Sequence, residues 1–303
     1  TGGKIISQQA ITVDPASNIP NGVTANLSAI TADGTSLADY FGGIAYFTDL
    51  QGQLWKYNLS KNTLDDDNTN LFALNLAFRA EGTLANDRFG FNQVATTVVQ
   101  NDVGDDVSIF NYFGTGDQSR IQRRISSINN RIFGIKDSDF PGYTLTDTGV
   151  GKTTLTSLNI NDEECVTDVT QNWYSDTRTK TSLVPEPKSG SNDWTKIIGR
   201  AGLFKKNVYF SIYRPESKSC PLTGSSQIIQ ISDGCGGVTE YNVGEGLVTA
   251  PVIDNRGNIY AGVSNIPADK SVGGAGVDNI TQLGDGEEAE GGVDFKSWRE
   301  ITY

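Results

Sequence analysis

The chain holds no histidine and no methionine, and its three cysteines stand at Cys165, Cys220 and Cys235. Without histidine there is no Ser-His-Asp or Cys-His catalytic arrangement and no imidazole ligand for haem or zinc. Paired carboxylates or a bound metal are the chemistry that remains. No cysteine forms a CxxC pair, which argues against a zinc site or a thioredoxin-like motif. Cys220 and Cys235 flank one hairpin-like unit and are candidates for a disulfide in an oxidising compartment, which leaves Cys165 over. Three buried free thiols is the alternative.

The carboxylates occur in runs. Asp65-Asp66-Asp67-Asn68, and Asn101-Asp102 with Asp105-Asp106, place like charges side by side, and such runs read as solvated loops. Gly149-Val150-Gly151-Lys152-Thr153 imitates the tail of a phosphate-binding loop. The leading glycine that such a loop needs is Thr146 here, and the β-branched residues that follow make a poor helix. Trp55, Trp173, Trp194 and Trp298 could suggest an aromatic floor for a quinone or a sugar, but packing between neighbouring sheets is the favoured explanation. A glycosidase needs two convergent carboxylates, and convergence is not visible in a sequence.

The formal net charge is −12, and the one dense basic cluster is Arg120, Arg123 and Arg124, read as a solvated loop. Nucleic-acid binding depends on clustered Lys and Arg, so it is not expected. No stretch approaches the roughly 18 apolar residues of a membrane-spanning helix. The chain starts at Thr1 with no basic-then-apolar leader, so any signal peptide is expected to lie outside it.

The elements that must position these residues are short strands. A recurring unit consists of an apolar strand, a glycine-containing turn and an alternating second strand. GIAYFTDLQGQLWKYNLS at Gly43–Ser60 is one instance, in which Gln53 to Asn58 alternate polar and apolar as a half-buried strand does. VSIFNYFGTGD with NRIFGIKD, NVYFSIYRP with SQIIQISDG, and LVTAPVIDNRGNIYAGVS are the others. Radial repetition of small antiparallel sheets hides their edges, which points to a β-propeller, with a β-sandwich as runner-up. Asp117 to Ile128 is the best helical candidate. The long polar stretches Lys61–Asn70, Ser138–Asp168, Ser182–Asp193 and Asn265–Gly292 read as loops between units.

These residues carry a family resemblance. Tyr46, Asp49, Leu50, Gln51, Gly52, Leu54, Trp55, Lys56 and Leu59 match in order the blade signature of PilY-type type IV pilus proteins. FGTGD at Phe113–Asp117, IFGIKD at Ile132–Asp137, NWY at Asn172–Tyr174, VYFSIYRP before Cys220, and SWREI at Ser297–Ile301 resemble further segments in the family's order. The resemblance implies an all-β, quinoprotein-like propeller of antiparallel blades with long inter-blade loops. The expected layout is a single partial propeller over residues 1–303, with blade-like units near 23–60, 92–140, 195–237 and 247–303. The ring is expected to be incomplete, because the family's first blades should precede Gly3.

The family's calcium loop precedes its DLQG blade and alternates oxygen ligands as an EF-hand loop does. That register falls on Asp33, Thr35 and Asp39, with Thr31 and the Leu37 carbonyl beside them. The resemblance therefore implies a Ca2+ site there, and a plain turn capped by Asp33-Gly34 is the competing reading. It also implies a non-enzymatic module at the bacterial cell surface, pilus tip or outer membrane, acting in adhesion, pilus biogenesis and twitching motility. Its implied partners are minor pilins, the pilus tip complex, or a host or surface ligand. The alternative is a quinoprotein-like or carbohydrate-active enzyme on the same scaffold. Against it, the adjacent cysteine pair common in quinone-dependent dehydrogenases is missing from the sequence.

Overall fold

The computed structural model describes residues 5, 7–31, 43–59, 71–100, 107–137, 156–157, 173–176, 194–215, 224–232, 238–264 and 280–284. Among them are sixteen strands, two 3-10 turns and no α-helix.

The strands form four sheets that follow one another along the chain. The first is β1 (Ser28–Thr31), β2 (Gly43–Thr48), β3 (Gln53–Asn58) and β4 (Leu74–Arg79). The second is ordered β5 (Ala95–Gln100), β6 (Val107–Gly114), β7 (Arg131–Asp137), β9 (Trp173–Asp176), β8 (Thr156–Ser157). The third is β10 (Lys196–Phe204), β11 (Asn207–Pro215), β12 (Gly224–Ser232) and β13 (Val238–Glu245). The fourth is β14 (Val252–Ile253), β15 (Ile259–Gly262) and β16 (Ile280–Gly284). Every pairing is antiparallel except β8 with β9. The first strands touch in sequence, β1 with β5, β5 with β10, and β10 with β14. The sheets therefore radiate from a shared line of inner strands, as propeller blades do.

Strand periodicity explains how the blades stack. On β2, Ile44 and Tyr46 face one way and Phe47 the other, and all six residues of the strand are buried. Ile44, Tyr46, Leu54 and Phe78 of the first sheet pack against Ile109, Phe113, Phe133 and Ile135 of the second. Phe78, Phe113 and Phe133 form the centre of that layer, with ring centroids 5.0 to 6.2 Å apart. On β6, the opposite face sends Phe110 and Tyr112 against Phe210, Ile212 and Ile229 of the third sheet. The third and fourth sheets close over Tyr209, Ile228, Val243, Ile259 and Ala261. Each buried Val, Leu, Ile or Phe among them contributes about 1.5–3 kcal/mol by leaving water. The outer face of the first sheet, Phe47, Trp55 and Leu76, is covered by Ile11 of the N-terminal segment.

The first sheet runs beyond Ser60, because LNLAFR supplies β4 on the far side of the polar stretch. The NWY segment contributes β9, which pairs with β7. The expected helix at 117–128 is instead one 3-10 turn, Gln118–Arg120, capped by the Asp117 side chain. The residues that follow fold back to lay Asn129 on Asn86.

Candidate functional site

The links at one end of the blades are stitched together by their own backbones. Gly82 N–H donates to Gln51 O, Asn129 N–H to Asn86 O, Gly116 N–H to Phe89 O, and Ile197 N–H to Thr115 O, over 2.8 to 3.2 Å. Two clusters of buried polar and charged side chains lie at this end.

The first cluster is built on the signature turn Asp49-Leu50-Gln51-Gly52. Gly52 adopts φ 72°, a left-handed conformation that glycine enters without strain. The Asp49 carboxylate, fully buried, accepts from Gln53 N–H at 2.9 Å, Asn21 Nδ2 at 2.8 Å, Gln53 Nε2 at 3.0 Å and Trp55 Nε1 at 2.7 Å. Burial raises its pKa, and these donors offset that only in part. Gln51 grips the N-terminal segment: its Oε1 accepts from Asp14 N–H at 2.7 Å, and its Nε2 donates to Ser17 Oγ at 2.6 Å and Ile19 O at 2.9 Å. The DLQG and Trp residues thus bind the hairpin to the segment that covers it. Trp55 lies in that packing layer, its indole N–H directed at Asp49.

The second cluster joins the first three sheets. Asp87, in the link after β4, is completely buried and forms ion pairs with Lys196 Nζ of β10 and, at 3.3 Å, with Arg123 Nη1. It also accepts from Asp117 N–H at 3.3 Å and Asn130 Nδ2 at 3.5 Å. Asn130 extends the network to Thr195 O at 2.8 Å. Asn92 does the same on the other side, donating to Ile197 O at 3.1 Å and accepting from Gly199 N–H at 2.9 Å and Gln118 Nε2 at 2.6 Å. The FGTGD motif explains how close these parts come. A Cβ on Gly114 would collide with the Ile197 side chain, so glycine there lets β10 pack against the end of β6. Asp117 then pairs with Arg120 Nε at 2.5 Å and caps the 3-10 turn. Burial works to raise the Asp117 pKa, but hydrogen bonds from Ser119 and Arg120 and the Arg120 charge hold it below the ordinary carboxylate value.

The arginines read as a solvated loop each have a partner in the fold, although the Arg120 side chain stays 47% exposed. Arg123 reaches Asp87, Arg120 holds Asp117, and the Arg124 guanidinium lies 5.6 Å above the Trp194 ring. Sequence reasoning did not single out Asp87 or Lys196. Asn-Asp-Arg after a turn resembles any polar loop, and its partners are supplied by distant strands.

A third ionic group lies between the first and second sheets. Lys56 Nζ of β3 is 2.6 Å from Asp137 Oδ2 of β7, and Tyr46 Oη donates to the same oxygen at 2.6 Å. Burial, then the Asp137 charge, push the Tyr46 pKa far upward, so the phenol keeps its proton.

Asp33, Thr35 and Asp39 lie outside the described residues, as do Cys165, Cys220, Cys235, Trp298 and the acidic runs. The strand ends that bracket the first three, Thr31 and Gly43, pair at the end opposite the Asp49 turn. Among the described residues no group of three or more Asp, Glu or Cys gathers as metal ligands would. Asp87 and Asp117, which meet through the Asp117 N–H, are matched by the chain's own cations. Among the described residues no helix is long and apolar enough to cross a membrane.

No protein-family profile matches the sequence, and no curated protein matches it. Among solved structures, the crystal structure of the Pseudomonas aeruginosa PilY1 C-terminal domain superposes with a TM-score of 0.50 at 14% identity, covering 83% of this chain and 61% of that one. The chain has the fold of a PilY1 C-terminal domain. It spans 61% of the length of that domain. The Asp49 turn, the FGTGD corner and the β9 strand are the places where the PilY-type motifs meet the fold, and each has a structural task there.

Proposed function

We propose that this chain is a binding and assembly module of a type IV pilus system, placed at the cell surface or pilus tip, that acts by recognition rather than catalysis. The observation that carries the reading is the fold shared with the PilY1 C-terminal domain over 83% of the chain. The PilY-type motifs, found in order along the sequence, support the pilus context. The ionic clusters support a scaffold role, because Asp49, Asp87, Asp117 and Asp137 face donors and cations of the chain itself. Minor pilins or the tip complex are the proposed partners, and a host or surface ligand is the proposed adhesive target. Calcium, held by Asp33, Thr35 and Asp39 between β1 and β2, is the proposed modulator.

The test combines a cell and a binding experiment. Deleting the encoding gene should reduce surface pili and twitching, and the full-length gene should restore both. The purified chain should bind one or more minor pilins, more tightly with calcium at a concentration suited to extracellular sites, roughly millimolar. Asp33→Ala and Asp39→Ala should remove the calcium effect while leaving basal binding. Unchanged pili and motility together with no pilin binding would overturn the pilus reading. A copurifying quinone absorbance or glycan hydrolysis would instead favour the enzyme on the same scaffold.

A further inference from the structure

Asn21-Gly22 is the one Asn-Gly step in the sequence, and it lies where the N-terminal segment meets the Asp49 turn. An asparagine followed by glycine is the step most open to deamidation, because glycine has no side chain to keep its nitrogen from the asparagine amide carbon. Here every polar atom of the Asn21 side chain is engaged. Nδ2 donates to Asp49 Oδ2 at 2.8 Å and to Thr12 O at 3.3 Å. Oδ1 accepts from Gly22 N–H at 2.9 Å and from Gln51 N–H at 3.3 Å. Gly22 O accepts from Leu50 N–H at 2.8 Å, and Val23 forms a bridge with Asp49. The step is half-buried, so water reaches it. A Cβ on Gly22 would meet nothing within 4 Å, so hydrogen bonds rather than crowding hold this step in place.

We propose that Asn21 is a deamidation site which the Asp49 turn holds in check, so that its reaction makes a transient release of the N-terminal segment permanent. In the closed turn the Gly22 N–H points at Oδ1 and keeps its proton, and the bonds from Leu50 and Gln51 fix the step on both sides. The Gly22 nitrogen cannot then turn its electron pair on Cγ. When residues 7–22 lift from the turn, hydroxide removes the Gly22 proton and the nitrogen attacks Cγ. The N–Cγ bond forms, and Nδ2 leaves as ammonia with a proton from water, which regenerates the hydroxide. Water opens the resulting succinimide, at the side-chain carbonyl to aspartate or at the main-chain carbonyl to isoaspartate. The balance is one amide and one water to one carboxyl group and one ammonia, with no oxidant.

Either product carries a carboxylate where the amide stood, and a carboxylate only accepts. Thr12 O loses its donor, and Asp49 meets a like charge in place of the Nδ2 donor. The isoaspartyl product also inserts a carbon into the main chain between Pro20 and Gly22, which puts Gly22 O out of step with Leu50 N–H. The segment is then held less tightly over Phe47, Trp55 and Leu76, the outer face that Ile11 covers.

The experiment is a timed incubation of the full chain at mildly alkaline pH, read by peptide mass mapping and by enzymatic methyl labelling of isoaspartate. Asn21 should convert slowly in the folded parent and, in the parent unfolded by denaturant, faster than any other asparagine. Gln51→Ala, which loosens the segment, should speed conversion in the folded chain roughly 5- to 30-fold, the factor that one or two lost hydrogen bonds give. Gly22→Ala should slow it in both states. Converted chain should be cleaved by protease within residues 7–22 faster than unconverted chain. Equal rates in the folded and unfolded parent, or an Asn21 that resists conversion in both, would overturn the proposal. So would converted chain whose residues 7–22 are cleaved no faster than before. These readouts are taken on the parent, so they decide the matter even if a variant fails to fold.

Discussion

Lys56–Asp137 and Lys196–Asp87 are closed to solvent to the same degree, yet they join different kinds of structure. The first links two blades through the middle of their shared apolar layer, where Tyr46 adds a neutral donor. The second sits where three links converge, and its carboxylate is shared among two cations, an amide and a backbone N–H. A buried charge is costly to strand, while a buried pair as a whole can be replaced by apolar side chains at little cost. The hub carboxylate belongs to a wider network of partners, so removing its ions as a pair is expected to leave Arg123 and Asn130 without their acceptor.

Asp87→Ala gives the largest expected effect, since it strands both Lys196 and Arg123. A loss of about 3–5 kcal/mol in denaturant unfolding is expected. A loss below about 1 kcal/mol would show that the hub is solvated after all. Lys56→Met alone takes the ammonium from the buried Asp137 carboxylate and is expected to cost about 3 kcal/mol, whereas Lys56→Met with Asp137→Leu should recover most of it. The matching double replacement at Lys196 and Asp87 should not recover, because Arg123 and Asn130 lose their shared acceptor. Equal recovery at the two sites would erase the contrast.

Removing the neutral donors at the Asp49 turn tests a smaller effect. Trp55→Phe takes one hydrogen bond from a buried carboxylate and should cost about 1–3 kcal/mol. Gln51→Ala should cost about 1 kcal/mol globally, while making residues 7–22 markedly more sensitive to protease.

The pH dependence separates the two carboxylates of the stitched end. The folded-state pKa of Asp49 is raised. Its contribution is therefore fully present below its ordinary value of 3.8 and is lost as pH rises through the raised folded value. The folded-state pKa of Asp117 is lowered. Its contribution is present above 3.8 and is lost as pH falls through the depressed folded value. Relative to the parent, Asp49→Asn should gain stability as pH rises through the acid range, and Asp117→Asn should lose it. Denaturation midpoints compared at successive pH values check both signs, and parallel curves would show that neither carboxylate is shifted.

Much of the fold was legible because strand signals are local. The alternation in QLWKYN, the glycine turn before it and the apolar runs IAYF and VYFSIY each lie within a few residues, and all became strands of the expected kind. β4 was missed because LNLAFR follows a long polar stretch that separated it from its hairpin. The helix expected at 117–128 failed because Asp117 is drawn into the hub, and the turn it caps ends after Gln118–Arg120.

Residue type and short spacing determined by themselves that this chain is all-β and that histidine chemistry is closed to it, and its Asp49–Gly52 turn resembles the PilY-type signature. Only the tertiary structure decided which charges meet. Tyr46 and Asp137 are 91 residues apart in sequence, and Lys196 and Asp87 are 109 apart. Period-two alternation assigns a side chain to a face of its strand. The partner on the facing blade is set by how the sheets stack, which no local pattern records.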